Sequence, residues 1–167
     1  DISDVVAKLL AKRKIIAWFQ GRMEMGPRAL GARSILANPC FKKTHTIVNK
    51  IKSRENWRPL SPSLLEEERE RFFEKSVYSP FMLQSHYVKT GKEKIIPGVV
   101  HIDGSVRYQS VTKESNPKFY QLIKDFYRLT GIPLVLNTSF NVGGEPIVCS
   151  PYDAIKSFFS SCLLYTS

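Results

Sequence analysis

Cationic side chains recur in this sequence at spacings suited to holding phosphate. Arg22, Arg28 and Arg33 stand six and five residues apart in the segment Gly21-Arg22-Met23-Glu24-Met25-Gly26-Pro27-Arg28-Ala29-Leu30-Gly31-Ala32-Arg33. Guanidinium groups bind phosphate oxygens bidentately, and small residues let backbone amides approach an anion. The spacing is neither the G-x-x-x-x-G-K-[ST] loop nor the G-x-G-x-x-G dinucleotide turn. The plainer reading is a turn whose arginines meet Glu24 and solvent. A second cluster, Lys52-Ser53-Arg54-Glu55-Asn56-Trp57-Arg58-Pro59, follows directly on a helical pattern. Cations there complement a helix dipole, but Arg58 precedes a proline and is held extended, which fixes its direction. Trp57 is assigned to the core in preference to stacking on a base. A third cluster, Asn137-Thr138-Ser139-Phe140-Asn141 and then Gly143-Gly144, leaves an apolar strand. Hydroxyl and amide groups past a strand's carboxyl end suit a small planar ligand such as an amide. Arg107 and Gln109 alternate on a strand-like run and share a face, either in that cavity or on an exposed sheet surface. His86 and His101 lack metal-ligand spacing and read as structural, and His45 has no evident partner.

These clusters need a scaffold. Val5, Val6, Leu9 and Leu10 fall at helical spacing ahead of an apolar strand-type run over residues 15–19. A strand resumes at Ser34, a helix covers residues 44–52, and residues 60–65 are partly extended. Residues 66–75 predict a highly charged helix exposed on most sides. Residues 80–88, 97–101 and 106–111 read as strands, with Asp103-Gly104 a hairpin turn between the last two. A helix over residues 116–130 buries Phe119, Leu122, Ile123, Phe126 and Tyr127, closes on Gly131, and leads into a buried strand at residues 133–136. Ser150 and Pro151 open a final helix as N-cap and N1. No linker divides the pattern, so a single α/β domain with a mixed sheet is the economical arrangement.

The totals narrow the partners. The 167 residues are 43% hydrophobic and carry a net charge of +10, which favours anionic partners. No run of about 18 apolar residues spans a membrane, and the N-terminus is not built like a signal peptide. Cys40, Cys149 and Cys162 lie far apart, as reduced thiols of a cytoplasmic protein do. The two ends read as those of a fragment, with a large N-terminal part and a short C-terminal part missing.

Taken together, the clusters resemble the C-terminal domain of the NodU/CmcH-type carbamoyltransferases. The resemblance rests on the segment from Gly21 through Gly31, on Arg33-Ser34-Ile35-Leu36, and on Asn49-Lys50-Ile51-Lys52-x-Arg54-Glu55-x-x-Arg58-Pro59. It continues in His101-x-Asp103-Gly104-x-x-Arg107 and in Leu136 through Asn141. It implies a YrdC-like fold, a twisted mixed sheet flanked by helices, over residues 1–161, with residues 162–167 an atypical tail that points to truncation or artefact. It implies a domain that binds ATP and carbamoyl phosphate and forms carbamoyl-adenylate. An N-terminal, metal-dependent transferase domain, absent here, would pass the carbamoyl group to a hydroxyl of a small-molecule acceptor. The Lys-x-Arg and Ser-x-Asn pairs of that fold look like Lys52/Arg54 and Ser139/Asn141. Lys52, Arg58 and Arg107 are then the expected catalytic clamp on carbamoyl phosphate. Asn137 and Ser139 would hold the carbamoyl amide, Arg54 and Asn141 belong to the binding set, and Arg28 faces the nucleotide. Mg²⁺ would be held mainly by the nucleotide's phosphates. The competing expectations are a threonylcarbamoyl-adenylate synthase-like enzyme and, because of the charge, an RNA-binding module. Cations grouped in motifs instead of a helix-long stripe argue against nucleic acid.

Overall fold

The computed structural model describes residues 1–161. Helix α1 (Ile2–Ala11) starts at Asp1, whose carboxylate accepts the Ser3 amide. Strands β1 (Ile16–Phe19) and β2 (Arg33–Ala37) follow, then α2 (Lys42–Ile51) and β3 (Ser61–Leu65). A 3-10 turn (Glu66–Glu68) runs into a short α3 (Arg69–Phe72). After β4 (His86–Tyr87), β5 (Ser105–Val106) and β6 (Gln109–Val111) come α4 (Pro117–Thr130), β7 (Leu134–Ser139) and α5 (Pro151–Ser160).

Five strands form one sheet in the order β1-β2-β7-β3-β6. The β1–β2, β2–β7 and β7–β3 pairs are antiparallel and β3–β6 is parallel, so the sheet is mixed. Proline in a central strand removes a ladder donor. Pro62 is tolerated because β6 pairs with β3 only from Ser63 onward. Helices α1 and α4 cover one face, where Leu10, Phe119, Leu122, Ile123 and Phe126 pack on Trp18, Leu36, Leu65, Val111 and Val135. Each such fully buried apolar side chain contributes about 1.5–3 kcal/mol. Helices α2 and α5 lie against the other clusters of apolar residues, which include Ile35, Ala37, Leu64, Leu134 and Leu136.

The expected helix ends are present. Asn116 caps α4 through the Phe119 amide and Gly131 closes it in the left-handed region. Ser150 and Asp153 form a reciprocal capping box on α5.

Four stretches differ from expectation. Residues 66–75 make only the 3-10 turn and α3, because Phe72 and Phe73 are both buried and Phe73 leaves the helix to bridge Val88. Of residues 80–88 only His86 and Tyr87 are strand, and residues 97–101 form no strand, with a turn over 97–99. There Gly98 lies flat against the chain at Pro39, donating its amide to that carbonyl at 2.9 Å, so no strand can pair on that side. The turn at Asp103-Gly104 does form, with the Gly104 amide on the His101 carbonyl. The third run breaks at Arg107-Tyr108: β5 pairs with β4, while β6 joins the large sheet. Buried Tyr108 anchors the switch, donating its hydroxyl to the Val77 carbonyl at 2.6 Å.

On the face beneath α1 and α4 the sheet changes character along its strands. Side chains alternate across a strand, so positions two apart share a face. Val135, Leu65 and Val111 are each followed, toward one end of the sheet, by Asn137, Ser63 and Gln109, all buried. The segment 29–31 closes over that polar end. Asn137 Nδ2 donates to the Ala29 carbonyl, Gln109 Nε2 to Leu30, and Trp18 Nε1 to Gly31. Gly31 sits at φ +100°, and a Cβ there would stand 2.2 Å from Phe119 Cδ1. Gly31→Ala therefore combines backbone strain with overpacking. It should lower the unfolding free energy by about 2–4 kcal/mol, read as a fall in the denaturation midpoint without a change in slope.

Candidate functional site

The site is built where β7 ends beside the end of α2. Ser139 closes β7 and Lys52 caps α2. Lys52 is 3% exposed, and its three N–H donors are shared among both oxygens of Ser139 and both of Asn141, all within 2.5–3.1 Å of Nζ. Ser139 in turn donates its hydroxyl to Asn141 Oδ1. Residue 143 must be small because its α-carbon faces the Lys52 and Ser53 carbonyls, which a Cβ would meet at 2.7 and 2.8 Å. The Ser139–Gly144 loop is thus laid directly on the α2 C-terminus.

Asn49, fully buried on α2, organises the second cluster. Its Nδ2 donates to the carbonyls of Asn56 and Arg58, and its Oδ1 accepts Arg54 Nε at 2.6 Å. This turns the backbone of residues 56–58 inward and the side chains outward. Trp57 is consequently 70% exposed, which corrects its assignment to the core. His45 does have a partner, Asn49, at 3.5 Å. His101 Nδ1 lies 3.2 Å from Ser105 Oγ, and the His86 ring packs on Tyr108.

Two cavities flank Arg54 and Ser139, which line both. The first, about 90 Å³, is also lined by Arg28, Arg107, Asn137 and Thr138. The second, about 360 Å³, is lined by Lys52, Arg58, Asn141 and the glycines at 143 and 144. All eight expected site residues therefore converge on one region. Their grouping differs from their order in sequence: Arg28 shares a cavity with Arg107 and Asn137, and Lys52 with Arg58. Arg58 stands at the rim, half-exposed and paired with Glu55. Gln109 lines neither cavity but lies buried behind Asn137.

Arg33 takes no part. It is buried, its guanidinium donates to the carbonyls of Gln20, Gly21, Ala32 and Cys149, and it stacks on Phe19. The backbone amides of residues 30–33 in the glycine-rich segment are also engaged, that of Gly31 by Ser34 Oγ. Glu24 Oε1 accepts those of Leu30, Ala32 and Arg33, so the anion this loop cradles is the protein's own carboxylate. Of the first cluster's three arginines, Arg28 alone lines the cavities, with Pro27 and Ala29 beside it.

The electrostatics call for an anion. Burial, followed by the Arg58 charge, lowers the Arg54 pKa. Burial, then the Arg28 charge, lowers that of Arg107. Guanidinium nevertheless stays protonated. Arg54 Nη2, Arg107 Nε and Asn137 Oδ1 are each buried without a hydrogen-bond partner. Buried polar atoms are ordinarily paired, and these three belong to residues lining the same small cavity. Among the described residues no group of three or more His, Cys, Asp or Glu side chains is placed to hold a metal. No helix among them is long and apolar enough to cross a membrane, and Cys40 and Cys149 are free. The tail at residues 162–167 lies outside the described residues.

Asn49, Glu24 and Ser63 carry site geometry that sequence reasoning did not assign. For Asn49 a signal existed: an uncharged amide between Val48 and Ile51 on the inward face of an amphipathic helix.

Known structures share this architecture. The chain superposes on P. abyssi Sua5, solved in complex with L-threonine, with a TM-score of 0.67. The match covers 95% of this chain and 44% of that one at 14% identity. It superposes equally, at 0.67, on full-length HypF in its phosphate- and nucleotide-bound form, covering 94% of this chain and 23% of that one at 18% identity. The fold is thus the YrdC-like mixed α/β domain of that class. Residues 7–166 match the family described as carbamoyltransferase C-terminus, and the chain belongs to that family. Similar proteins include MJ1058 of Methanocaldococcus jannaschii, 47% identical over 93% of this chain and 26% of its own length. Nodulation protein NolO of Bradyrhizobium diazoefficiens is 41% identical over 98% of this chain and 30% of its own. The chain therefore spans under a third of the length of these relatives.

Burial, and then the Arg54 charge, pushes the Lys52 pKa down to about 7. An incoming anion restores the proton, so anion binding weakens as pH rises through that value. Sulfate, whose charge is constant over the range, should bind about tenfold more weakly at pH 8.5 than at pH 6. Lys52→Met should flatten the profile. Calorimetric titration at the two pH values checks this, and a pH-independent affinity in the unaltered chain would contradict it.

Proposed function

We propose that this chain is the carbamoyl-adenylate-forming part of an O-carbamoyltransferase, with ATP and carbamoyl phosphate as its substrates. The observation that carries the reading is the trio of unpartnered buried groups around the small cavity, Arg54 Nη2, Arg107 Nε and Asn137 Oδ1. Two cationic donors and one acceptor complement a ligand bearing phosphate oxygens and an N–H group. Carbamoyl phosphate carries both within a few atoms. The second cavity, with Lys52, Arg58 and the Ser139–Gly144 loop, suits the nucleotide's phosphates.

This divides the roles differently from the first expectation. Arg28, Arg54 and Arg107 neutralise the carbamoyl phosphate while Asn137 orients its amide. Lys52 and Arg58 face the polyphosphate, and Ser139 lies at the junction. Mg²⁺, if it arrives with the ATP phosphates, would be held mainly by them and would add neutralisation of the leaving pyrophosphate. Water releases phosphate from carbamoyl phosphate, a carbamate oxygen attacks the α-phosphorus of ATP, and pyrophosphate leaves. Such a step asks the protein for positioning and charge stabilisation more than for covalent chemistry. Transfer of the carbamoyl group to a hydroxyl acceptor falls to the part of the relatives' length that lies outside this chain.

The test is exchange of labelled pyrophosphate into ATP. Exchange should depend on carbamoyl phosphate and fall about 10²–10³-fold in Arg107→Ala, the usual cost of removing a preorganised charge contact. Exchange that needs threonine and bicarbonate instead would favour the synthase-like alternative. No exchange at all, or full exchange in Arg107→Ala, would overturn the reading.

A further inference from the structure

The buried groups behind Asn137 point past the identity of the substrate to how it is selected. Asn137 is 2% exposed, Ser63 is fully buried and Gln109 is 5% exposed. Asn137 Nδ2 donates to the Ala29 carbonyl at 3.1 Å and to Ser63 Oγ at 2.8 Å. Ser63 donates its hydroxyl to Gln109 Oε1 at 2.7 Å, and Gln109 Nε2 donates to the Leu30 carbonyl at 3.0 Å.

The chain of bonds has one direction. Backbone carbonyls accept and never donate, so the Leu30 carbonyl forces the Gln109 amide to present its nitrogen there and its oxygen to Ser63. Ser63 must then give its only proton to Gln109 and accept from Asn137. The Ala29 carbonyl independently demands a donor from Asn137. Both Nδ2 hydrogens are therefore engaged, and inverting the amide would set Oδ1 against the Ala29 carbonyl oxygen. Asn137 lines the small cavity, Ser63 and Gln109 do not, and Oδ1 is the polar atom left without a partner.

We infer that Ser63 and Gln109 are positioning residues that lock Asn137 as an obligate acceptor, so that the cavity selects acyl phosphates bearing an N–H group over those bearing a methyl in its place. The inference rests on the carbamoyl phosphate reading and extends it, since it assigns selectivity to two residues that never touch the ligand. The same two carbonyls belong to the segment that carries Arg28. Loop placement and amide orientation are thus set by one network, and the selecting atom and an arginine of the cavity wall are positioned together.

The test compares carbamoyl phosphate, acetyl phosphate and inorganic phosphate by calorimetric titration of the whole chain. An unmet buried acceptor disfavours the methyl compound, so the unaltered protein should prefer carbamoyl over acetyl phosphate by about 10–100-fold. Ser63→Ala removes one of the acceptors that fix the Asn137 amide, leaving the Ala29 carbonyl and a longer 3.4 Å contact to Gln109 Oε1 to orient it. The preference should then fall about three- to tenfold, while affinity for inorganic phosphate changes by less than about threefold. A merely structural role would weaken all three ligands together. Gln109→Met, of similar volume, removes the same relay and should give the same loss of preference should Ser63→Ala not fold. If none of the three ligands binds the unaltered chain, the carbamoyl phosphate reading itself fails. If carbamoyl and acetyl phosphate bind equally well, that reading stands and the selection by Asn137 is overturned. If the preference survives both substitutions, Ser63 and Gln109 have no positioning role.

Discussion

The Lys52 ammonium lies buried where the end of α2 meets the end of β7, and both cavities take their shape from it. Four oxygens of Ser139 and Asn141 surround it. A charge at this depth is costly unless fully hydrogen-bonded, so the loop after β7 has little freedom to sit elsewhere. Its course brings the residue 143 α-carbon onto the Lys52 and Ser53 carbonyls and places Ser139 between the two cavities. Arg54 reaches the same junction because Asn49 holds its Nε from below. Burial, reinforced by a neighbouring cation in each case, opposes the charge on Lys52, Arg54 and Arg107. Anions held on either side of Arg54 would relieve all three.

The sheet supplies the opposite wall by an unusual division of one face. Its apolar half receives α1 and α4, while the half carrying Asn137, Ser63 and Gln109 receives only the 29–31 backbone. Loop carbonyls that burial would otherwise leave unpaired are met by these side chains, as buried polar groups require. Stability and site geometry therefore share the same hydrogen bonds. The glycine-rich segment matters through this docking and through Arg28, since the amides of Leu30, Ala32 and Arg33 are taken up by Glu24.

What could be read from sequence was what short-range chemistry determines. Asn116 and Gly131 delimit α4, and the Ser150–Asp153 box starts α5, because caps depend on neighbours in the chain. The site residues could be grouped because most stand at or just beyond the end of a helix or strand, where groups of that type have few structural uses. Long-range placement was less legible. Trp57 is an apolar residue pushed outward by hydrogen bonds from a helix eight positions upstream. Residues 66–75 look helical by composition, yet Phe72 and Phe73 are claimed by the core. Arg33 has the type and spacing of a phosphate ligand, and only the positions of Phe19 and Cys149 reveal a structural one. Glu24, Ser63 and Gln109 depend on which half of the sheet face the loop covers, which no local pattern encodes.

On the proposed reading, two anion compartments adjoin at Arg54 and Ser139. A crystal structure of the chain with phosphate and pyrophosphate decides between this and other arrangements. Two separate anions should appear, one on either side of Arg54. Phosphate should lie within hydrogen-bonding distance of Arg107 Nε and Arg54 Nη2, and pyrophosphate against Lys52 and the Ser139–Gly144 loop. Anions bound elsewhere, or a single anion that leaves Arg54 Nη2 and Arg107 Nε without partners, would contradict it.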